Sequence, residues 1–100
     1  MSLLLPKFEL YETGSQIRRA SKSIKSNIVE GYGRRTYKQD FIKFLVYAEA
    51  SLLETQSDLE LIKELYPDIE TKEIIHSYEE LGKKLYSFTE WVKTNWKTKP

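Results

Sequence analysis

The sequence contains no cysteine, and its 100 residues include only four glycines and three prolines. Without cysteine there are no disulfides, thiolate metal sites or cysteine nucleophiles, and the chain suits a reducing compartment. So few breakers leave room for long uninterrupted helices. Long apolar runs are missing too. Leu3-Leu4-Leu5 stops at Pro6 without a basic flank before it, far short of a membrane span or a signal-peptide core, so a cytoplasmic location with no membrane partner is expected. Recognisable catalytic punctuation is also absent. Gly31-Tyr32-Gly33 follows no strand pattern and lacks the Gly-Lys-Ser/Thr ending of a phosphate-binding loop. Nothing resembles a nucleophile elbow. Glu73-x-x-His76 has the spacing of half a di-iron helix motif, but the chain holds a single histidine, and such sites draw on two such pairs and further glutamates. The expectation is a non-enzyme with no cofactor and no metal, His76 being an exposed helical residue.

What the chain does hold is 40% hydrophobic and 31% charged side chains, the make-up of one soluble helical domain spanning residues 1–100. The net charge of +1 hides a partition. Residues 18–43 carry eight basic and two acidic side chains, residues 44–80 two basic and ten acidic, and residues 81–100 five basic and one acidic. Asymmetry of this kind bears on partners more than the total does.

Three helical patterns follow one another. The first is expected over about residues 13–30. Thr13 and Gln16 have capping-box spacing at its start, Ile17, Ile24 and Ile28 share a face with Ala20 and Ser21, and Gly31 and Gly33 suit a left-handed C-terminal cap. Ala20, Ser21 and Ser23 are small enough to admit a neighbouring backbone. The second pattern covers about 37–66, with Thr36 and Gln39 repeating the capping box and Pro67 barring continuation. Phe41, Leu45, Ala48, Leu52, Thr55, Leu59, Ile62 and Tyr66 alternate spacings of four and three, the period of near-parallel helix packing. The third covers about 71–96, on a seam of Ile74, Tyr78, Leu81, Leu85, Phe88, Val92 and Trp96, with Trp91 off the seam. Short connections make successive helices antiparallel neighbours. The fold class is therefore all-α, an up-down antiparallel helical bundle. From Phe41 to Ala48 the second helix has almost no polar face, and a helix apolar all round must be covered all round. A subunit interface is the natural inference.

The order Gln-Ile-Arg-Arg-Ala-Ser from Gln16, Ser-Ile-x-Ser-Asn-Ile-x-Glu-Gly-x-Gly-Arg from Ser23, and Phe-Ile-x-Phe-Leu-x-x-Ala-x-x-Ser-Leu-x-Glu from Phe41 closely resembles the 23S ribosomal RNA intervening-sequence protein family. This is the bacterial four helix bundle protein family, which includes relatives similar to the accessory variability protein of diversity-generating retroelements. The resemblance is specific from Gln16 to about Leu65 and agrees in pattern only beyond. It implies three long helices here of a family four-helix bundle, the segment before Pro6-Lys7-Phe8 usually being another long helix in members. Either that helix is missing from this version or another chain's helix fills its place. Many members have proline where this chain has Lys25, so a kink there is expected to be weaker. The resemblance also implies a symmetric homo-oligomer, commonly a pentamer, a basic surface that engages nucleic acid, a reverse transcriptase as partner in the retroelement relatives, and no enzymatic activity.

The candidate nucleic-acid-binding residues are Arg18, Arg19, Lys22, Lys25, Arg34, Arg35 and Lys38. Arg18, Lys22 and Lys25 share one helix face, Arg19 lies alongside, and the rest extend the charge past the turn. Arginine grips phosphate with paired hydrogen bonds, and lysine acts as a point charge. Tyr32 and Tyr37 flank the arginine pair, an arrangement able to stack on unpaired bases or simply to pack the turn. The competing reading pairs the basic residues with the acidic second helix, with Arg18 or Arg19 in a buried ion pair to Glu30, Glu49 or Glu54 that fixes register. The function expected is a non-catalytic, homo-oligomeric accessory factor associated with structured RNA or DNA. The alternative is a protein–protein adaptor whose charge pattern serves helix docking.

Overall fold

The computed structural model describes the backbone of residues 4–97 and the side chains of residues 11–97. Within that range the chain is three helices and no strand: α1 (Leu4–Gly33), α2 (Lys38–Leu65) and α3 (Lys72–Asn95). α2 lies in the middle, and α1 and α3 each pack along it without backbone contact with one another. The result is an elongated slab of about 64 × 20 × 13 Å.

The first helix begins nine residues before the expected start and passes straight through Thr13. Pro6 does not prevent this, because it sits in the first turn, where a backbone N–H has no intrahelical partner to lose. Capping-box spacing inside a helix is then only two polar residues three apart. The helix also runs unbroken past Lys25. At the other end, neither Gly31 nor Gly33 takes the left-handed conformation of a cap, since no described glycine has positive φ. The chain instead tightens. The Arg34 N–H bonds the carbonyls of Glu30 and Gly31 at 3.2 and 3.0 Å, Arg35 N–H reaches Tyr32 at 3.1 Å, and Tyr37 N–H reaches Arg34 at 2.9 Å. These short-range bonds satisfy the last carbonyls without a special residue. Gly31 serves packing. It is buried, and a Cβ there would lie 3.0 Å from the Phe44 Cβ and 3.3 Å from the Phe41 carbonyl oxygen. Thr36 does not cap α2 either, for the capping position falls to Tyr37 with no side-chain bond.

Close approach continues along α1 and α2. Ala20 is buried, and Ser23 Oγ lies 2.8 Å from Ser51 Oγ, so two small side chains meet where large ones would hold the helices apart. The α2 seam is buried from Phe41 through Leu45, Ala48, Leu52, Thr55, Leu59 and Ile62, and Tyr66 is half-buried. Along α3 the seam is shifted. Ile74 and Phe88 are exposed, while Leu85, Thr89 and Val92 are buried, with Tyr78, Leu81 and Trp96 partly so. Thr89 can replace an apolar residue because its hydroxyl donates to the Leu85 carbonyl at 2.9 Å, leaving no orphan donor. Thr55 does the same toward Ser51 at 3.0 Å. Ile24, Phe41, Leu45, Ala48, Leu52, Leu85 and Val92 form one core. The only described side-chain hydrogen bond spanning α1 and α3 joins Ser21 Oγ and Tyr78 Oη at 2.7 Å.

Of the apolar collar, Phe41, Leu45 and Ala48 are buried, Ile42 and Phe44 are half-buried, and Val46 and Tyr47 remain exposed. Leu53 and Leu61 on the same helix are exposed as well. One chain leaves part of this helix facing water.

Candidate nucleic-acid interface

Arg18, Lys22 and Lys25 project from α1 within a sector of about 60° at 100° per residue, on the side away from Ala20 and its contact with α2. All three are exposed. None makes an ion pair among the described residues, and the one side-chain bond in the group runs from Arg18 Nη2 to Ser15 Oγ at 3.4 Å. Lys25 borders a shallow apolar groove between α1 and α3, floored by Ile24, Ile28, Tyr78 and Leu81. Arg19, although next in sequence to Arg18, faces the other flank. It lines a depression with Gln16, Ser23, Ser51 and Glu54 and is exposed too. Neither arginine is buried, and Glu30 pairs elsewhere, so no ion pair of Arg18 or Arg19 is present among the described residues.

That partner is Arg34, whose Nε donates to Glu30 Oε1 at 2.9 Å while Nη1 lies 3.7 Å from Asp40 Oδ2. Its guanidinium also sits 5.2 Å from the centre of the Phe44 ring. Arg34 is thus partly neutralised and pinned to the turn. Arg35 is held differently. Its guanidinium lies 4.0 Å over the Tyr32 ring, and Nη1 donates to the Tyr32 carbonyl at 2.9 Å, with no carboxylate involved. Lys38 is half-buried and has no ion pair among the described residues. The seven candidates therefore form an unpaired stripe on α1, a separate Arg19, and a turn in which Arg35 and Lys38 keep their charge free of carboxylates.

The turn is braced by a residue that sequence reading assigned only to packing. Trp96 donates its indole Nε1–H to the Arg35 carbonyl at 2.9 Å, joining the end of α3 to the α1–α2 turn. The Trp96 ring packs edge-on against Phe41 at 5.2 Å and meets Trp91 at 6.1 Å. Trp91 stacks near-parallel with Phe88 at 6.3 Å and an interplanar angle of 11°. The signal for this cluster was present as aromatic density in the last helix, but a one-dimensional pattern does not say which turn it will face. Nearby, Lys93 donates to Glu90 at 3.1 Å, and that bond raises its pKa above the ordinary lysine value.

His76 is exposed, with Nε2 4.0 Å from Glu80, and the described residues hold no group of three or more metal-ligating side chains. No helix among them is long and apolar enough to cross a membrane.

Residues 1–87 match the family model described as 23S rRNA-intervening sequence protein. Neither a curated protein nor a solved structure matches the chain.

Proposed function

We propose, from the fact that this chain belongs to the 23S rRNA-intervening sequence protein family, that it is a cytoplasmic, non-catalytic accessory factor that self-associates and engages structured RNA through its basic residues. The observation that carries the reading is the stripe of Arg18, Lys22 and Lys25, exposed and without ion pairs among the described residues. Unpaired surface cations have no carboxylate to surrender before they meet phosphate, whereas cations already bonded to carboxylates must first break that pair. Phosphate contacts from such a stripe position a partner without reading its bases, so recognition is led by backbone and shape. Arg35 and Lys38 extend the charge around the turn, and Arg19 contributes from the opposite flank. The exposed Val46, Tyr47 and Leu53 on the most apolar helix support self-association, with a closed ring such as a pentamer as the arrangement that the family resemblance favours.

The test is a titration of structured RNA at two salt concentrations, with the native protein and an Arg18/Lys22/Arg34/Arg35→Ala variant. Binding should weaken steeply with salt, because each neutralised phosphate releases counterions, and the variant should bind more weakly with a shallower salt slope. Equal binding by both proteins, or binding indifferent to salt, would overturn the proposal. The exposed apolar residues also favour a second reading, a protein–protein adaptor, with a reverse transcriptase suggested by the retroelement resemblance. Recovery of a protein partner free of nucleic acid would select it.

A further inference from the structure

We infer that the turn end of the slab is a stacking platform for unpaired bases, so that single-stranded RNA, or the unpaired loop of a structured RNA, is the form of nucleic acid bound there. This deepens the nucleic-acid reading above and rests on it. The residues concerned come from α1, the following turn, α2 and the end of α3, and are joined by direct contacts: Tyr32 under the Arg35 guanidinium at 4.0 Å, the Arg35 carbonyl on the Trp96 indole at 2.9 Å, Trp96 against Phe41 of α2 at 5.2 Å and Trp91 at 6.1 Å, and Trp91 parallel to Phe88 at 6.3 Å. Burial separates two roles within that chain. Phe41 is 1% exposed and Trp96 is half-buried, so these two are the support. Tyr32 at 55%, Trp91 at 49% and Phe88 at 42% turn much of their surface to solvent.

Exposed flat rings alone would suit many occupants. Charge narrows the choice to one. Arg35, Lys38 and Lys97 lie at this end without ion pairs among the described residues, while Arg34 and Lys93 are held by Glu30, Asp40 and Glu90. Aromatic faces interleaved with free cations are what a single strand requires, for its bases stack on the rings while its phosphates meet the charge. A duplex cannot use the rings, because its bases are already stacked and paired. Trp96 contributes geometry. Its indole bond ties the Arg35 backbone to the end of α3, while the guanidinium itself is held over the Tyr32 ring.

The experiment uses the full chain and compares a short oligouridylate with a duplex RNA of equal length, following both labelled-RNA anisotropy and tryptophan emission. The expected result is preference for the single strand, quenching of tryptophan emission on binding, and single-strand affinity about 5- to 150-fold weaker in Trp91→Ala, the loss that removing one base-stacking ring brings. Duplex affinity should be unchanged in that variant. Trp91→Phe keeps a flat ring and should retain most of the affinity, which separates stacking from general damage to α3. Unaltered single-strand binding by Trp91→Ala would overturn the inference, as would a fall in solution mass of that variant without RNA, which would make the strip a contact between copies. Salt-sensitive duplex binding without single-strand preference would overturn the platform alone and leave the basic-stripe reading standing. Failure to bind either RNA would overturn both.

Discussion

Gly31 offers the sharpest test of how α1 and α2 are held together. In an exposed helix, replacing glycine by alanine stabilises by about 1 kcal/mol, because alanine loses less backbone freedom on folding. Gly31→Ala should go the other way. Its new methyl would meet the Phe44 Cβ at 3.0 Å and the Phe41 carbonyl oxygen at 3.3 Å. Both atoms are fixed to the α2 backbone rather than to a flexible tip, so relief requires the two helices to move apart. Overpacking of this kind costs about 1–3 kcal/mol, which leaves a net loss of up to about 2 kcal/mol after the propensity gain. Gly33 is the internal control, with nothing within 4 Å of its would-be Cβ. Gly33→Ala should therefore gain about 0.5 kcal/mol. Gly82 falls between them. Its would-be Cβ meets the Leu52 Cδ2 at 3.1 Å, and Leu52 Cδ2 can swing aside, so Gly82→Ala should be close to neutral. Urea unfolding followed by far-UV circular dichroism at one protein concentration would rank the three, and about 1 kcal/mol corresponds to roughly 4–8 °C in Tm for a domain this size. Gly31→Ala as stable as Gly33→Ala would show that the close contact does not govern the interface.

Asp58 predicts a pH dependence. Its Oδ2 is buried without a hydrogen-bond partner among the described residues, and desolvation, with a smaller push from Glu54, raises its pKa above 3.8. A carboxyl raised in the folded state favours the protonated form, so its penalty is absent below the unfolded pKa and grows as pH rises through the folded value. Asp58→Asn should accordingly stabilise the protein near about pH 7 and make no difference near about pH 3, and urea midpoints at the two pH values would show it. A stabilisation equal at both would refute the cause. Phe41→Ala removes a 1%-exposed ring that contacts Phe88 and Trp96 edge-on at 6.0 and 5.2 Å, and should cost about 3–5 kcal/mol. A thermal melt unchanged within a few degrees would place the core elsewhere.

The fold was legible where one rule governs. On α2 the four-three rhythm named every buried residue, because a central helix flanked on two sides has no freedom in which face it hides. On α3 the same rhythm failed at Phe88 and Ile74. Residues 85, 88 and 92 and residues 85, 89 and 92 are equally regular, and hydrophobicity alone prefers Phe88. The structure prefers Thr89, whose hydroxyl is satisfied within its own helix. Capping signals misled for a related reason. Thr13 and Gly31 carry cap chemistry, but caps form only where a helix has cause to end, and Gly31 answers to a contact thirteen residues further on, with Phe44. The basic residues themselves were plain in the sequence. Their division was not, since it depends on which flank of α1 faces Glu54 and on Glu30 reaching Arg34 rather than Arg18 or Arg19.

That division follows from how closely the helices approach. α1 is basic and α2 acidic from Glu49 onward, so bulk attraction invites ion pairs across their interface. Ala20, Ser23, Gly31 and Ser51 bring the two backbones too near for arginine and glutamate to share the seam. Such pairs would in any case lose much of their Coulomb gain to desolvation if they were buried. Charged side chains are pushed to the flanks, where Arg19 and Glu54 line one depression without pairing. Exposed pairs contribute little even when they form, so the fold forgoes little by leaving these open. The small residues that tighten the α1–α2 contact thus leave Arg19 unclaimed beside Glu54, while Arg18, Lys22 and Lys25 stay open because they project from the face of α1 turned away from α2. Enlarging Ser23 and Ser51 together should loosen the slab and admit an Arg19–Glu54 pair, lowering the urea midpoint while leaving Arg18, Lys22 and Lys25 open; an unchanged midpoint would show that the small residues do not set the α1–α2 distance.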